Sequence, residues 1–192
     1  MGVMVTGLVL FLVPHGVRIY AGGWRERMIE RLGAILWKGL YALVSLVGFA
    51  LFVWGFGLAR EHHTVLYVPA PWLRHLNALF TLVALVLVAA AYVPRNHLKA
   101  AVGHPMLAGV KIWALGHLLA TGMLHDVVLF ASLLVWAVAD FAVLRRRDRR
   151  MQAAYAPGTA IGDVVTVVVG CTVWAAFAFW LHAYLIGVNP FS

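Results

Sequence analysis

Apolar residues in this chain neither alternate with polar ones nor keep to one helical stripe; they come in long runs separated by short charged segments. Six runs approach or exceed the ~20 apolar residues that a helix needs to cross a bilayer core: residues 2–20, 34–58, 72–93, 105–121, 126–144 and 160–187. Hydrocarbon offers no partner to an exposed backbone group, so a segment inside it must be a helix or part of a closed barrel. Barrel strands alternate in polarity and these runs do not, so the pattern predicts helices. The expected fold is an all-α integral membrane protein, a six-transmembrane-helix bundle with almost no soluble part. Residues 1–150 hold five of the helices; residues 151–192 hold a linker and the sixth. The first run lacks a basic leader and a small-residue cleavage site, so it reads as a retained span rather than a signal peptide.

Composition agrees. The chain of 192 residues is 64% hydrophobic and 11% charged, with a mean hydropathy of +0.90, where soluble domains run nearer 45–50% apolar and about 25% charged. Its 15 Lys and Arg against 7 Asp and Glu give a net charge of +8. Spread between apolar runs, these cations read as topology signals and contacts to anionic lipid, not as a nucleic-acid surface. The first connection carries Arg18, Arg25, Arg27, Arg31 and Lys38, the third Arg95 and Lys99, the fifth Arg145, Arg146, Arg147, Arg149 and Arg150; the even connections carry only Arg60 and Arg74. The positive-inside rule places the odd connections in the cytoplasm and both termini in the periplasm, as expected for a multi-pass protein of the bacterial inner membrane. Trp24, Trp37, Trp54 and Trp72 fall near span ends, where aromatic belts sit. Residues 24–31 read as a charged surface segment and 145–158 as a hydrophilic linker. Cys171, the sole cysteine, excludes an intramolecular disulfide and a thiolate cluster.

Ionisable groups inside a span are costly, and each asks for a reason. His15, Lys111, His117 and Asp140 qualify, with His104 at the mouth of the fourth run. At ~100° per residue, His104 and Lys111 share a stripe, whereas His117 lies on a nearly opposite face, so one small ligand is not held by both histidines. Pro105 suits a first helical turn, which makes His104 a cap or interface residue. His117 sits well inside its run, with Trp113 one turn before it and Thr121 one turn after. A buried neutral imidazole is more often a helix–helix hydrogen bonder than a metal or heme ligand, and spacing leaves both readings open. Lys111 and Asp140 lie at similar depth, so an ion pair is one reading; the other is that Lys111 and Arg18 face a cofactor's carboxylates. His62, His63, His75, His97, His125 and His182 fall in or near loops, where a solvated or interfacial role is the default.

Several of these residues lie in longer motifs. The run FLVPHGVR at 11–18, Leu32-Gly33, KGLYALVS at 38–45, and above all HPMLAGVKIWALGHLLATG at 104–122, continued by Leu129-Phe130 and Trp136-Ala137-Val138, resemble the NnrU family. The similarity covers about residues 1–150. The resemblance implies a link to bacterial denitrification and nitric oxide metabolism. The family is similar to the plant zeta-carotene isomerase, which holds heme b between two histidines. One of those lies in a first-helix His-Ser-Gly motif, a position matched by His15. The other lies 13 residues after a His-Pro motif, a position matched by His117. The isomerase carries a cysteine three residues before its second ligand; this chain has Ala114 there, so a thiolate ligand switch is not expected.

The resemblance therefore implies one b-type heme with His15 and His117 as axial ligands; Trp113 is the expected neighbour, and Arg18 and Lys111 are candidate carboxylate partners because a buried cation near an anionic group relieves both desolvation costs. At ~1.5 Å per residue the two histidines are offset in depth by roughly 12 Å, so such a heme tilts strongly, or His104 or His125 takes one position. Three functions remain. The first is a heme redox or gas-handling protein, with a small gas ligand at the iron. The second is a heme-dependent isomerase of a lipophilic polyene. The third is a non-heme partner protein or transporter. Whether the chain is an enzyme, as an isomerase or an oxidoreductase, stays open.

Overall fold

The computed structural model describes residues 1–62 and 64–191. His63, expected in a loop, lies outside the described residues. The order is α1 (Gly2–Tyr20), α2 (Gly22–Leu32), α3 (Ala34–Ala59), α4 (Leu73–Tyr92), α5 (His97–Val102), α6 (Pro105–Ala120), α7 (Leu124–Met151), α8 (Ala160–Ala176), a π-helical turn (Phe177–Leu181) and α9 (His182–Ile186). α8, the π turn and α9 run on as one rod. Among the described residues there is no strand, only an isolated bridge between Val65 and Met123.

Five of these segments are long and apolar enough to cross a membrane: α1, α3, α4, α7 and the α8–α9 rod. Side chains that would be costly in water cover their outer faces; Ile35 is 89% and Ile161 79% exposed. The chain is thus a multi-pass membrane protein. α6 falls short of the expected fourth span. Its 16 residues reach only about 24 Å at ~1.5 Å per residue. Gly103 at φ +78° stops the chain just before it, and residues 121–123 turn extended to meet the 64–66 segment. α7 errs the other way. It runs to Met151 rather than ending near 144, because arginine is a strong helix former. Gln152, left-handed at φ 50°, closes it. The hydrophilic linker is correspondingly shorter.

Small residues set the packing, as they do where lipid supplies no hydrophobic drive between helices. The buried face of α3 is Ser45, Gly48, Phe52, Gly55 and Ala59, spaced alternately three and four residues apart. α1 lies antiparallel against it, so close that a Cβ on Gly48 would stand 2.5 Å from the Phe11 backbone nitrogen; a Cβ on Gly7 or Gly55 would strike the backbone at Phe52 or Met4. α4 meets α6 at Gly109 and Gly116, and α8 at Gly170. The Trp174 indole N–H reaches across to the Ala78 carbonyl at 2.9 Å. α7 joins the two halves, packing closely on α6 and more sparsely on α1. A shallow apolar groove of about 300 Å3 runs outward between α1 and α7, with Gly16, Ser132 and Trp136 in its wall.

The connections gather at two ends. Leu66 N–H donates to the Gly122 carbonyl and Leu124 N–H to that of Thr64, at 2.8 and 2.9 Å. The Arg60 guanidinium donates to the Ile186 carbonyl. Met4 against Gly55 brings the N-terminus to the same end. The other end collects α2, residues 93–104 and residues 145–159. There Thr159 N–H donates to the Arg95 carbonyl at 2.8 Å, and Asp163 takes both the backbone N–H and Nδ1 of His97, at 2.8 and 2.6 Å. The segments rich in Lys and Arg therefore share one end, called the basic end below.

Candidate functional site

His15 and His117 each sit on a helix and hydrogen-bond back to the carbonyl one turn earlier. His15 Nδ1 meets the Phe11 carbonyl at 2.6 Å, and His117 Nδ1 meets the Trp113 carbonyl at 2.9 Å. A carbonyl only accepts, so Nδ1 carries the proton in both rings and Nε2 keeps its lone pair. This is the tautomer that metal-ligating histidines adopt. Aromatic rings hold both imidazoles in place. His15 stacks on Phe11 at 4.2 Å, with Tyr41 at 5.2 Å and Trp136 edge-on at 5.8 Å. His117 stacks on Phe130 at 4.5 Å and leans on Trp113 at 4.9 Å.

The two rings touch different levels of α7. Trp136 and Phe130 are six residues apart, about 9 Å along the axis. Phe130 belongs to the main core cluster, with Phe11 and Trp113 packed around it. The two histidines thus flank one aromatic cluster from opposite levels.

A cleft of about 540 Å3 opens at the basic end, between α1–α3 and α6–α7. His15, Arg18, Tyr41, His104, Trp136 and Asp140 line it, with Arg25, Lys38 and Lys99. His117, Trp113 and Lys111 are not in its wall. The expected Lys111–Asp140 ion pair does not form. Lys111 Nζ instead lies over the Phe141 ring, 3.5 Å from its centre. Asp140 shares its surroundings with Arg18, His104 and His15, and its Oδ1 is buried with no hydrogen-bond partner.

His104 takes the N-cap position of α6, but its side chain does not cap. It bonds through Nε2 to Asp148 at 2.8 Å, and the Tyr155 hydroxyl donates to the same carboxylate oxygen at 2.5 Å. Burial, then the bond to Asp148, push the Tyr155 phenol above its usual value. This three-residue clasp fastens the start of α6 to the basic extension of α7 and to the linker. The sequence reading missed Asp148 and Tyr155; the signal for Asp148 is that it is the lone acid in an arginine run. Tyr155→Phe should cost about 1 kcal/mol, below the upper range for a bond to a carboxylate because the bond is only partly buried. A thermal melt in detergent reads it.

His125, expected near a loop and solvated, is buried beside Phe56 and 3.6 Å from Asp126. It stands at the end opposite the cleft. His182 Nδ1 hydrogen-bonds to the Val188 carbonyl at 2.7 Å. Among the described residues no group of three or more His, Cys, Asp and Glu side chains is arranged to hold a bare metal ion. A porphyrin asks less of the protein, one or two axial ligands. The donors fit one by tautomer and by aromatic surroundings, but the basic-end cleft is lined by His15 and not by His117.

Fold and site together define a polytopic helical membrane protein with imidazoles fixed in a ligating tautomer and a cationic cleft at one end. The chain belongs to the NnrU protein family, whose model matches residues 3–190 and so includes the linker and the final helix. No curated protein and no solved structure matches it.

Proposed function

We propose that this NnrU-family protein binds one b-type heme, with His15 and His117 as axial ligands, in the bacterial inner membrane. The carrying observation is the shared tautomer. Two imidazoles on different helices each commit Nδ1 to a carbonyl and leave Nε2 for a metal. Both also stack on members of, or neighbours to, one aromatic cluster, the kind of surface that packs against a porphyrin. Seating both ligands on one iron requires that cluster to part. Arg18 at the cleft, and Lys111 after leaving Phe141, are the cations available to heme carboxylates; Trp113 is the indole beside His117.

With both axial positions taken by imidazole, the bound heme would supply one-electron chemistry rather than an open site, which suits electron transfer or sensing. The family's association with nitric oxide metabolism and denitrification supports a redox or gas-handling role there. The isomerase reading gains nothing from Ala114, which is fully buried and offers no thiolate. Six crossings with both termini periplasmic is the accompanying topology. It is supported by the basic segments' collection at one end and by the placement of α6 between α4 and α7.

Purified protein should show a Soret band and a b-type pyridine hemochrome. His15→Ala and His117→Ala should each lose most of the heme, and His104→Ala should keep it. No hemochrome in the wild type, or loss in His104→Ala alone, refutes the assignment.

A further inference from the structure

The basic-end cleft concentrates positive charge. Arg18, Arg25, Lys38 and Lys99 converge on it from α1, α2, α3 and α5, against one carboxyl, Asp140. Among the described residues neither Arg18, Arg25, Lys38 nor Lys99 forms an ion pair. Lys99 donates to the Ala91 carbonyl at 2.8 Å, which leaves it two further N–H groups. Trp136, also in the wall, has its indole nitrogen buried without an acceptor. Grouped cations and an orphaned N–H beside low-dielectric surroundings are costly unless an anion meets them.

The rest of the wall says what kind of anion. Pro14, Val17, Leu107 and Leu144 make one part of it apolar. Trp37 lines the mouth and packs edge-on to Trp24 at 5.7 Å, the aromatic placement of a headgroup boundary. A soluble anion would satisfy the cations and leave the apolar side bare; a lipid satisfies both.

We infer that this cleft is a binding site for an anionic phospholipid: the phosphate is held by Arg25, Lys38 and Lys99, and the first part of the acyl chains lies against Leu107 and Leu144. The inference rests on Arg25, Lys38 and Lys99 and not on the heme reading, which takes His15 and Arg18 of the same wall.

The test uses the full chain in nanodiscs of phosphatidylcholine with or without phosphatidylglycerol, released into native mass spectrometry, with heme read by Soret absorbance in the same sample. The expected result is one retained phosphatidylglycerol in preference to phosphatidylcholine. Retention should fall roughly thirtyfold in Arg25→Gln/Lys38→Gln, the factor that two lost headgroup–cation contacts carry, with the Soret band unchanged. Should that variant not fold, the wild-type preference between the two lipids decides. Equal retention of both lipids, equal retention in variant and wild type, or displacement by inorganic phosphate overturns the inference. So does parallel loss of heme and lipid, which would assign these cations to the heme. A wild type with lipid but no heme sinks only the heme reading.

Discussion

Gly55→Leu is expected to lower stability by about 3 kcal/mol, the upper end of the usual cost of overpacking, while Gly57→Leu two residues away leaves it level or slightly improved. The chemistry of the change is the same, and only the neighbour differs. At Gly55 a new Cβ meets the backbone of Met4, with its nitrogen, Cα and the preceding carbonyl carbon all too close. Backbone cannot swing aside as the tip of a side chain can, so the two helices must separate along the whole seam that Gly7 and Gly48 also form. At Gly57 nothing lies within 4 Å, and leucine gains the ~1 kcal/mol by which it exceeds glycine as a helix former. Unfolding in mixed micelles of rising SDS content compares the two. Equal destabilisation would mean that α1 and α3 are not in backbone contact.

Asn96→Ala is the second large effect, a loss of about 2–4 kcal/mol. Asn96 is 1% exposed and makes three bonds with one side chain. Its Nδ2 donates to the Ala90 and Val93 carbonyls at 2.9 and 2.7 Å, which would otherwise be orphaned at the end of α4. Its Oδ1 accepts the Lys99 N–H at 2.7 Å and so caps α5. Removing an N-cap costs about 1 kcal/mol, and each buried carbonyl left unpaired adds about as much again. Asn96→Ser keeps the cap and loses the two donors, so it should fall between alanine and wild type. A serine variant as unstable as alanine would show that the carbonyls, not the cap, carry the effect.

Much of this fold is legible before any coordinates exist, because lipid reduces the folding problem to the length and polarity of runs. The long helices follow from apolar stretches that no soluble helix would tolerate, whereas residues 24–31 read only as a charged surface segment and not as the helix α2. What escapes is whatever depends on a neighbour distant in sequence. Nothing local marks residues 121–123 as partners of residues 64–66, although the run at 105–121 matches α6 to within a residue. The arginines after Leu144 look like a loop by polarity, yet they extend a helix whose axis is already set. The π turn at Phe177–Leu181 leaves no trace in composition.

The site divides in the same way. His15 and His117 stand out by burial cost, and the offset in their depths follows from helical rise alone; their contacts with separate levels of α7 agree with it. The cleft does not stand out, because its wall comes from seven different helices and their connections. Tyr155 is hidden for the same reason, while Asp148 shows only as the lone acid in its arginine run. Lys111 shows the limit of matching depths. It sits level with Asp140, but an adjacent aromatic face, Phe141, takes the ammonium instead.

The glycine seam also governs where this protein can breathe. With their main chains in contact, α1 and α3 have no side-chain layer over which to slide, and they travel as a single slab. The compliant joint is the thinner contact between that slab and α7, and it runs along the outward groove. Trp136 is the partition at that joint, with the bilayer interior on one side of its ring and the charged recess on the other. The outward groove and the charged recess therefore share one wall residue, and parting α1 from α7 would join them beside that indole.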